Sequence, residues 1–218
     1  MSAQTNENPL IVIAGNMAVG KTTFAELLHT YYNIPILPEN FNDNPYLEKF
    51  YEDMATWAYP SQLFFLEERA KQSVVINSRQ TPLILDRSVY EDRGIFAENL
   101  YRKNFISPED FGKYEKRYQE IITALPSPSL LVFLTASVDT LMKRMANRGR
   151  DFEQNIDRSY LEALNTLYNE WVDSLPLVLP KSRILKIETD TLNLVSNHTD
   201  IESGLRQIEK NIKLNRST

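Results

Sequence analysis

The chain has 218 residues, of which 42% are hydrophobic, so it is long enough for one ordinary domain with its own core. Its net charge of −5 excludes a global basic surface for nucleic acid, and the lack of cysteine excludes disulfides and thiolate metal sites. No signal peptide is visible, and no apolar run approaches the roughly 20 residues of a membrane helix. We therefore expect a cytoplasmic protein with no nucleic acid and no membrane among its partners.

The first predicted element is a strand over residues 10–14, which follows a loose tail over residues 1–8 and opens a single domain over 9–218. A loop of the pattern G-x-x-x-x-G-K-[ST] comes next, and it consists of Gly15, Asn16, Met17, Ala18, Val19, Gly20, Lys21 and Thr22. A helix over 21–32 follows, so its N-terminus and several backbone N–H groups face one anion. This predicts a nucleoside triphosphate site that includes Thr23, with Lys21 on the β/γ-phosphates and Thr22 on Mg²⁺.

Strands and helices alternate along the rest of the chain. Apolar runs at 34–37, 82–85, 130–134 and 184–187 predict strands, and helical patterns separate them at 45–52, 57–77, 89–102, 108–125, 137–147, 158–175 and 200–213. Several strands lack polar alternation, which is typical of a parallel sheet buried on both faces. We predict an α/β three-layer P-loop NTPase fold with a five-stranded parallel sheet flanked by helices, and with ligands beyond the carboxyl ends of the strands.

Polar residues follow two of these strands. Glu39 comes after the second strand, and Asp86 and Arg87 come after the third. Because the carboxyl ends of parallel strands meet at one edge of a sheet, we expect these residues near Lys21. A carboxylate there can accept the proton of an attacking hydroxyl or hold Mg²⁺ through water. The alternative, in which each acid only caps a turn or a helix, stays open at this point.

The helix predicted from residue 57 carries Gln62 and Arg69 two turns apart on one face. The neighbouring face is a predicted core stripe of Leu63, Leu66, Ala70 and Val74. Glutamine and arginine on one face can recognise a planar group with hydrogen-bonding edges, although an ordinary exposed helix face is the alternative. If the helix over 89–102 packs against this one, Asp92 can pair with Arg69 and Phe96 can stack on a flat ring.

A cluster of arginines forms a local positive patch in this acidic chain. Arg144 and Arg148 lie one helical turn apart, Gly149 is expected to end their helix, and Arg150 follows it. We predict an arginine-rich lid over about residues 144–157, in which the guanidinium groups stabilise a transferring phosphoryl group. A basic helix C-terminus that complements the helix dipole is the alternative, and it explains Arg144 better than Arg150.

Together these motifs resemble the deoxyribonucleoside kinase family, and in particular bacterial deoxyadenosine/deoxyguanosine kinases and their deoxycytidine kinase relatives. The resemblance spans roughly residues 10–190 and rests on the phosphate loop, Glu39, Asn44-Pro45-Tyr46-Leu47 with Phe50-Tyr51, Trp57 with Gln62, residues 86–92, and Arg148-Gly149-Arg150 with Glu153. Animal members place a tryptophan where Asn44 stands here, so the departure favours the bacterial subgroup.

The resemblance implies a role for each matching residue. Glu39 matches the general base for the 5′-hydroxyl, Arg87 an arginine beside that hydroxyl and the transferred phosphate, and Asp86 the acid that helps hold Mg²⁺. Tyr51 and Glu153 match the pair that grips the sugar 3′-hydroxyl. The remaining matches are the base-reading glutamine, the stacking ring and the lid arginines, at Gln62, Phe96, Arg144, Arg148 and Arg150.

The resemblance also implies a substrate class. Members that use purines or deoxycytidine carry an Arg/Asp pair at the positions of Arg69 and Asp92, which is mismatched to the carbonyl and methyl groups of thymine. We therefore expect a homodimeric kinase of nucleotide salvage that moves the γ-phosphate of ATP to the 5′-hydroxyl of deoxyadenosine or deoxyguanosine, with deoxycytidine as an alternative. Two alternative functions are those of a nucleoside monophosphate kinase and of a non-catalytic nucleotide-binding subunit of the same fold.

Overall fold

The computed structural model describes residues 8–39, 43–150, 153 and 156–214. The strands are β1 (Leu10–Gly15), β2 (Ile36–Leu37), β3 (Leu83–Asp86), β4 (Leu130–Thr135) and β5 (Arg183–Glu188). The helices are α1 (Lys21–Tyr32), α2 (Leu47–Glu52), α3 (Met54–Ser78), α4 (Val89–Glu91), a π-helical segment (Asp92–Ala97), α5 (Glu98–Arg102), α6 (Pro108–Ala124), α7 (Val138–Arg148), α8 (Arg158–Val178) and α9 (His198–Asn211). The predicted tail over residues 1–8 lies outside the described residues except for Asn8.

The strands in these ranges form the predicted five-stranded parallel sheet, in the order β2-β3-β1-β4-β5. β1 lies between β3 and β4, with Ile13 opposite Asp86 and Gly15 opposite Leu134. All six residues of β1 are buried, which agrees with its unbroken apolar sequence. The loop after β1 therefore opens between the segments that follow β3 and β4, where ligands bind in such sheets.

Helices cover both faces of the sheet and form one main core. Phe24 and Leu28 of α1 and Leu164 of α8 are fully buried against it. A smaller apolar cluster joins α2, α3 and α5, and it consists of Leu47, Phe50, Ala58, Leu100 and Ile106. Within the described ranges, no helix is both long enough and apolar enough to cross a membrane.

Some predicted elements have different bounds or contacts. α3 begins at Met54 rather than at residue 57, because the Asp53 side chain accepts a hydrogen bond from the Thr56 N–H at 3.2 Å and caps it. The predicted core position Val74 is wrong, since this side chain is 69% exposed while Leu66 is fully buried. The single helix predicted over 89–102 is interrupted by the π-helical segment.

The π-helical segment packs closely against α8. A Cβ atom added at Gly94 would lie 2.6 Å from Cδ1 and 2.7 Å from Nε1 of Trp171. The segment carries Asp92 and Phe96 on either side of this contact. The absence of a side chain at Gly94 therefore sets how near the segment lies to α8.

We expect Gly94→Ala to lower the free energy of unfolding by about 1–3 kcal/mol, because the new methyl group overpacks the Trp171 ring. Gly112→Ala is the matched control, because a Cβ at this helical position of α6 meets nothing within 4 Å. The control should gain about 0.5–1 kcal/mol from helix propensity. Denaturant unfolding measures both variants, and equal effects would contradict the packing explanation.

Candidate active site

One cavity of about 670 Å³ opens at the carboxyl edge of the sheet. Most of the predicted site residues line it: Met17, Ala18, Val19, Gly20, Lys21, Thr22, Thr23, Glu39, Tyr51, Gln62, Asp86, Arg87, Asp92, Phe96, Arg144, Arg148, Arg150 and Glu153. Gly15, Asn16 and Arg69 are absent from the lining and lie behind it. The structure therefore brings the residues predicted to bind the phosphate donor and those predicted to bind the phosphate acceptor to one cavity.

The phosphate loop begins at a point where the backbone lies against β4. Gly15 has a φ of 144°, and a Cβ there would lie 2.5 Å from the Leu134 carbonyl oxygen, so no other residue fits. The Lys21 Nζ donates to the carbonyl oxygens of Gly15 at 3.0 Å and Asn16 at 3.1 Å. Burial, and then the charge of Arg87, lower the Lys21 pKa to about 8 against the opposing charges of Glu39, Asp86 and Glu91.

Thr22 and Asp86 provide oxygen ligands of the kind that Mg²⁺ prefers. The Thr22 Oγ1 donates to Asp86 Oδ2 at 2.6 Å, which brings the two predicted metal residues together. The other carboxylate oxygen, Oδ1, is buried and has no hydrogen-bond partner among the described residues. A carboxylate and a hydroxyl beside a phosphate loop fit a Mg²⁺ ion held partly through water and phosphate oxygens.

Glu39 and Arg87 form an ion pair across the ends of β2 and β3. The Arg87 Nε lies 2.6 Å from Glu39 Oε1, and the guanidinium carbon lies 4.3 Å from the centre of the Phe96 ring. Burial alone would raise the pKa of Glu39, but Arg87, Lys21 and Arg69 outweigh it and lower this pKa below its usual value. Arg87 also has a φ of 73°, a strained conformation for a side chain of its size.

Arg69 and Asp92 form the predicted pair, with the Arg69 Nε 2.9 Å from Asp92 Oδ2 and both side chains buried. Asp92 lines the cavity beside Gln62 and Phe96, whereas Arg69 lies behind Asp92. The Arg69 Nη1 donates to Gln72 Oε1 at 2.9 Å, and its Nη2 is buried without a partner in the described part of the chain. The Arg69 side chain is therefore buried next to a residue of the cavity wall. The alternative, in which Arg69 belongs to an ordinary exposed helix face, is wrong.

The lid arginines contact two different parts of the cavity wall. Arg148 donates to both carboxylate oxygens of the buried Glu153, and the Arg150 Nη1 lies 3.4 Å from Glu153 Oε1. Arg144 instead donates to the Val19 carbonyl at 3.0 Å and to Thr189 Oγ1 at 2.9 Å, so the helix-terminus alternative does not describe it. Helix α7 ends at Arg148, one residue beyond the predicted range, and Gly149 caps it as predicted. Residues 151, 152, 154 and 155 of the predicted lid lie outside the described residues.

Tyr51, which is predicted to bind the sugar, lines the same cavity. Burial, and then the neighbouring Tyr160 and Glu153, raise its pKa well above the usual value, so the phenol keeps its proton at neutral pH. Sequence reasoning missed Tyr160 itself and most of the cavity wall beside α7, which includes Thr189, Leu192, Asn193, Leu194 and Val195. These positions show no local motif, because only the packing of α8 and the loop after β5 brings them to the cavity.

Comparison with known proteins gives matches over most of the chain. The family model for deoxynucleoside kinase matches residues 11–213. A deoxyguanosine kinase of Bacillus subtilis (strain 168) is 35% identical, with 90% of this chain and 94% of the relative covered. A deoxyadenosine/deoxycytidine kinase of the same strain is 31% identical, with 93% and 92% covered.

Solved structures give the same result. A deoxyadenosine kinase from M. mycoides with the products dCMP and a flexible dCDP bound superposes with a TM-score of 0.77 at 27% identity, over 92% of this chain and 98% of that one. The same enzyme with dATP bound gives a TM-score of 0.78 at 25% identity, over 93% and 100% of the two chains. The fold, the cavity and the length of these matches lead to one conclusion, that the chain belongs to the deoxynucleoside kinase family.

Proposed function

We propose that this kinase transfers the γ-phosphate of ATP to the 5′-hydroxyl of deoxyadenosine or deoxyguanosine, with deoxycytidine as an alternative acceptor. One observation carries the proposal: the Glu39 carboxylate and the Lys21 ammonium group line the same 670 Å³ cavity. The names of the Bacillus subtilis relatives, a deoxyguanosine kinase and a deoxyadenosine/deoxycytidine kinase, support the substrate class.

In the proposed reaction, Glu39 accepts the proton of the 5′-hydroxyl as that oxygen attacks the γ-phosphorus. The bond from the γ-phosphorus to the bridging oxygen breaks, and ADP leaves with the electron pair. Lys21, Arg148 and Arg150 stabilise the negative charge that spreads over the phosphoryl oxygens. A Mg²⁺ ion held by Thr22 and Asp86 would neutralise charge on the β- and γ-phosphates when bound.

The acceptor end of the cavity suits an uncharged nucleoside better than a nucleotide. Four side chains there are assigned to the substrate: Gln62 and Asp92 to the base edge, and Tyr51 and Glu153 to the 3′-hydroxyl. The nearby cations Arg87 and Arg69 are already paired with carboxylates. A monophosphate acceptor would bring its own negative charge beside the carboxylates of Glu39, Asp92 and Glu153, which disfavours the monophosphate kinase reading. We extend the proposal to a homodimer, as the family resemblance implies, and to a cytoplasmic location, as the sequence predicts.

The test of the proposed function is a phosphorylation panel with ATP and Mg²⁺ over the four natural deoxynucleosides and their 5′-monophosphates. Purine deoxynucleosides should give 5′-monophosphates as products. Consumption of ATP with the monophosphates alone would support the monophosphate kinase reading. No acceptor-dependent consumption of ATP would support the non-catalytic reading, and either result would overturn the proposal.

Glu39→Ala should lower kcat by about 10²–10⁴, because the attacking hydroxyl loses its proton acceptor. ATP binding should persist, since the phosphate loop is untouched. Glu26→Ala, which removes an exposed carboxylate from α1, is the control and should keep the wild-type rate. Initial rates and ATP titrations measure these effects, and an unchanged rate in Glu39→Ala would contradict the assigned role.

Replacing Arg69 with Met and Asp92 with Ala should shift the ratio of kcat/KM toward thymidine by about tenfold to a hundredfold, because the charged mismatch to thymine disappears. The matched control is the exposed pair Arg102 and Glu170, which lie 2.9 Å apart on the surface, changed in the same way. Competition between thymidine and deoxyadenosine gives the ratio. A double variant with wild-type preference would show that this pair does not set the selectivity.

ATP binding should take up protons at alkaline pH, because the Lys21 pKa of about 8 in the free protein rises when phosphates surround the ammonium group. The uptake should be close to zero at about pH 7, about half a proton at about pH 8 and close to one proton at about pH 9. Calorimetry in buffers of different ionisation enthalpy measures it. Lys21→Arg, which stays protonated throughout, should show a flat profile, and a flat wild-type profile would contradict the assignment.

A further inference from the structure

Glu91 is a fully buried carboxylate that the proposed reaction leaves without a role. It lies on α4, at 0% exposure, three residues after Ser88 and directly before Asp92. Burial raises its pKa, although Arg87, Lys21, the Gly15 N–H and the Tyr168 hydroxyl oppose this rise. A buried carboxylate is costly unless donors surround it, so its partners show what it does in the fold.

Two pairs of donors surround Glu91, one for each carboxylate oxygen. Oε1 accepts from the Gly15 N–H at 3.1 Å and from the Tyr168 hydroxyl at 2.9 Å. Oε2 accepts from the Ser88 N–H at 3.0 Å and from the Ser88 Oγ at 3.2 Å. Because a backbone N–H can only donate, both oxygens must act as acceptors, which matches the ionised carboxylate.

These partners belong to the two halves of the site. Gly15 is the first residue of the phosphate loop, and its carbonyl oxygen accepts from Lys21 at 3.0 Å and lies 2.9 Å from the Tyr168 hydroxyl oxygen. Ser88 directly follows Asp86 and Arg87, which are assigned to the metal and to the acceptor hydroxyl. The last paired residues of β1 and β3 are Ile13 and Asp86. Beyond them, the hydrogen bonds of Glu91 connect the two chain segments that follow these strands.

We propose that Glu91, supported by Tyr168, is a positioning residue that holds the phosphate loop at a fixed distance from the turn carrying Asp86 and Arg87. This inference rests on the proposed function, because that distance decides whether an attacking hydroxyl meets the γ-phosphorus in line. Small misplacements of reacting groups cost large factors in rate, and binding of either substrate depends on them less.

The test uses Glu91→Gln, which keeps the size of the side chain but loses the charge and turns one acceptor into a donor. We expect kcat to fall by about tenfold to a hundredfold, with the KM values for ATP and deoxynucleoside changed by less than about threefold. The exposed Glu120→Gln on α6 is the control for the chemical change and should match the wild type.

The outcomes separate this inference from the proposed function. A wild-type protein that phosphorylates no deoxynucleoside would contradict the proposed function. If the wild type is active, an unchanged kcat in Glu91→Gln, or a loss that appears in KM rather than in kcat, would overturn the inference alone. If Glu91→Gln does not fold, Tyr168→Phe tests the inference instead, because it removes one hydrogen-bond donor to Glu91 and keeps the negative charge of Glu91. It should lower kcat about threefold to tenfold at unchanged KM, and a wild-type kcat would overturn the inference.

Discussion

The ionised side chains packed at the carboxyl edge of the sheet are the constraint on which the rest of the structure depends. Arg87 is central to them, because it pairs with Glu39 at 2.6 Å and lies over the Phe96 ring at 4.3 Å. Its pKa stays well above the usual value although burial lowers it, since Glu39, Tyr168, Glu91 and Asp92 surround it with negative charge or polarity. Buried charges are stable only when paired, so these contacts fix the positions of the segments that carry them.

The sheet supplies the frame for this arrangement. β1 lies at the centre and ends in the phosphate loop, and β3 ends beside it in Asp86. The predicted donor half of the cavity thus comes from β1 and α1, and the predicted acceptor half comes from β2, α3 and the π-helical segment. The contact between Thr22 of α1 and Asp86 of β3 at 2.6 Å connects two segments at this edge of the sheet. The chemistry therefore follows from which strand ends are neighbours.

Local sequence was sufficient for the parts of the site that one segment determines. The phosphate loop, the strand-end positions of Glu39 and Asp86 and the end of α7 at Gly149 were predicted because each depends on a few adjacent residues. The pairing of Arg69 with Asp92 also followed, since two helices were assumed to pack. Glu91, Tyr168 and Thr189 could not be identified, because their partners lie far away in the chain, as Gly15 does at 76 residues from Glu91. Val74 was wrongly predicted to lie in the core, and the π-helical segment was not predicted. In both cases tertiary packing overrides the helical periodicity of the sequence.

The central claim is that the donor cradle and the proton acceptor face each other across one cavity, so that the phosphoryl group moves directly from one substrate to the other. The most direct measurement is the stereochemical course of the transfer, with ATP made chiral at its γ-phosphorus by oxygen isotopes and sulfur, and a purine deoxynucleoside as the acceptor. A single in-line displacement inverts the configuration at phosphorus, and inversion is the predicted result. Retention would require two successive transfers through the protein, and it would contradict the account.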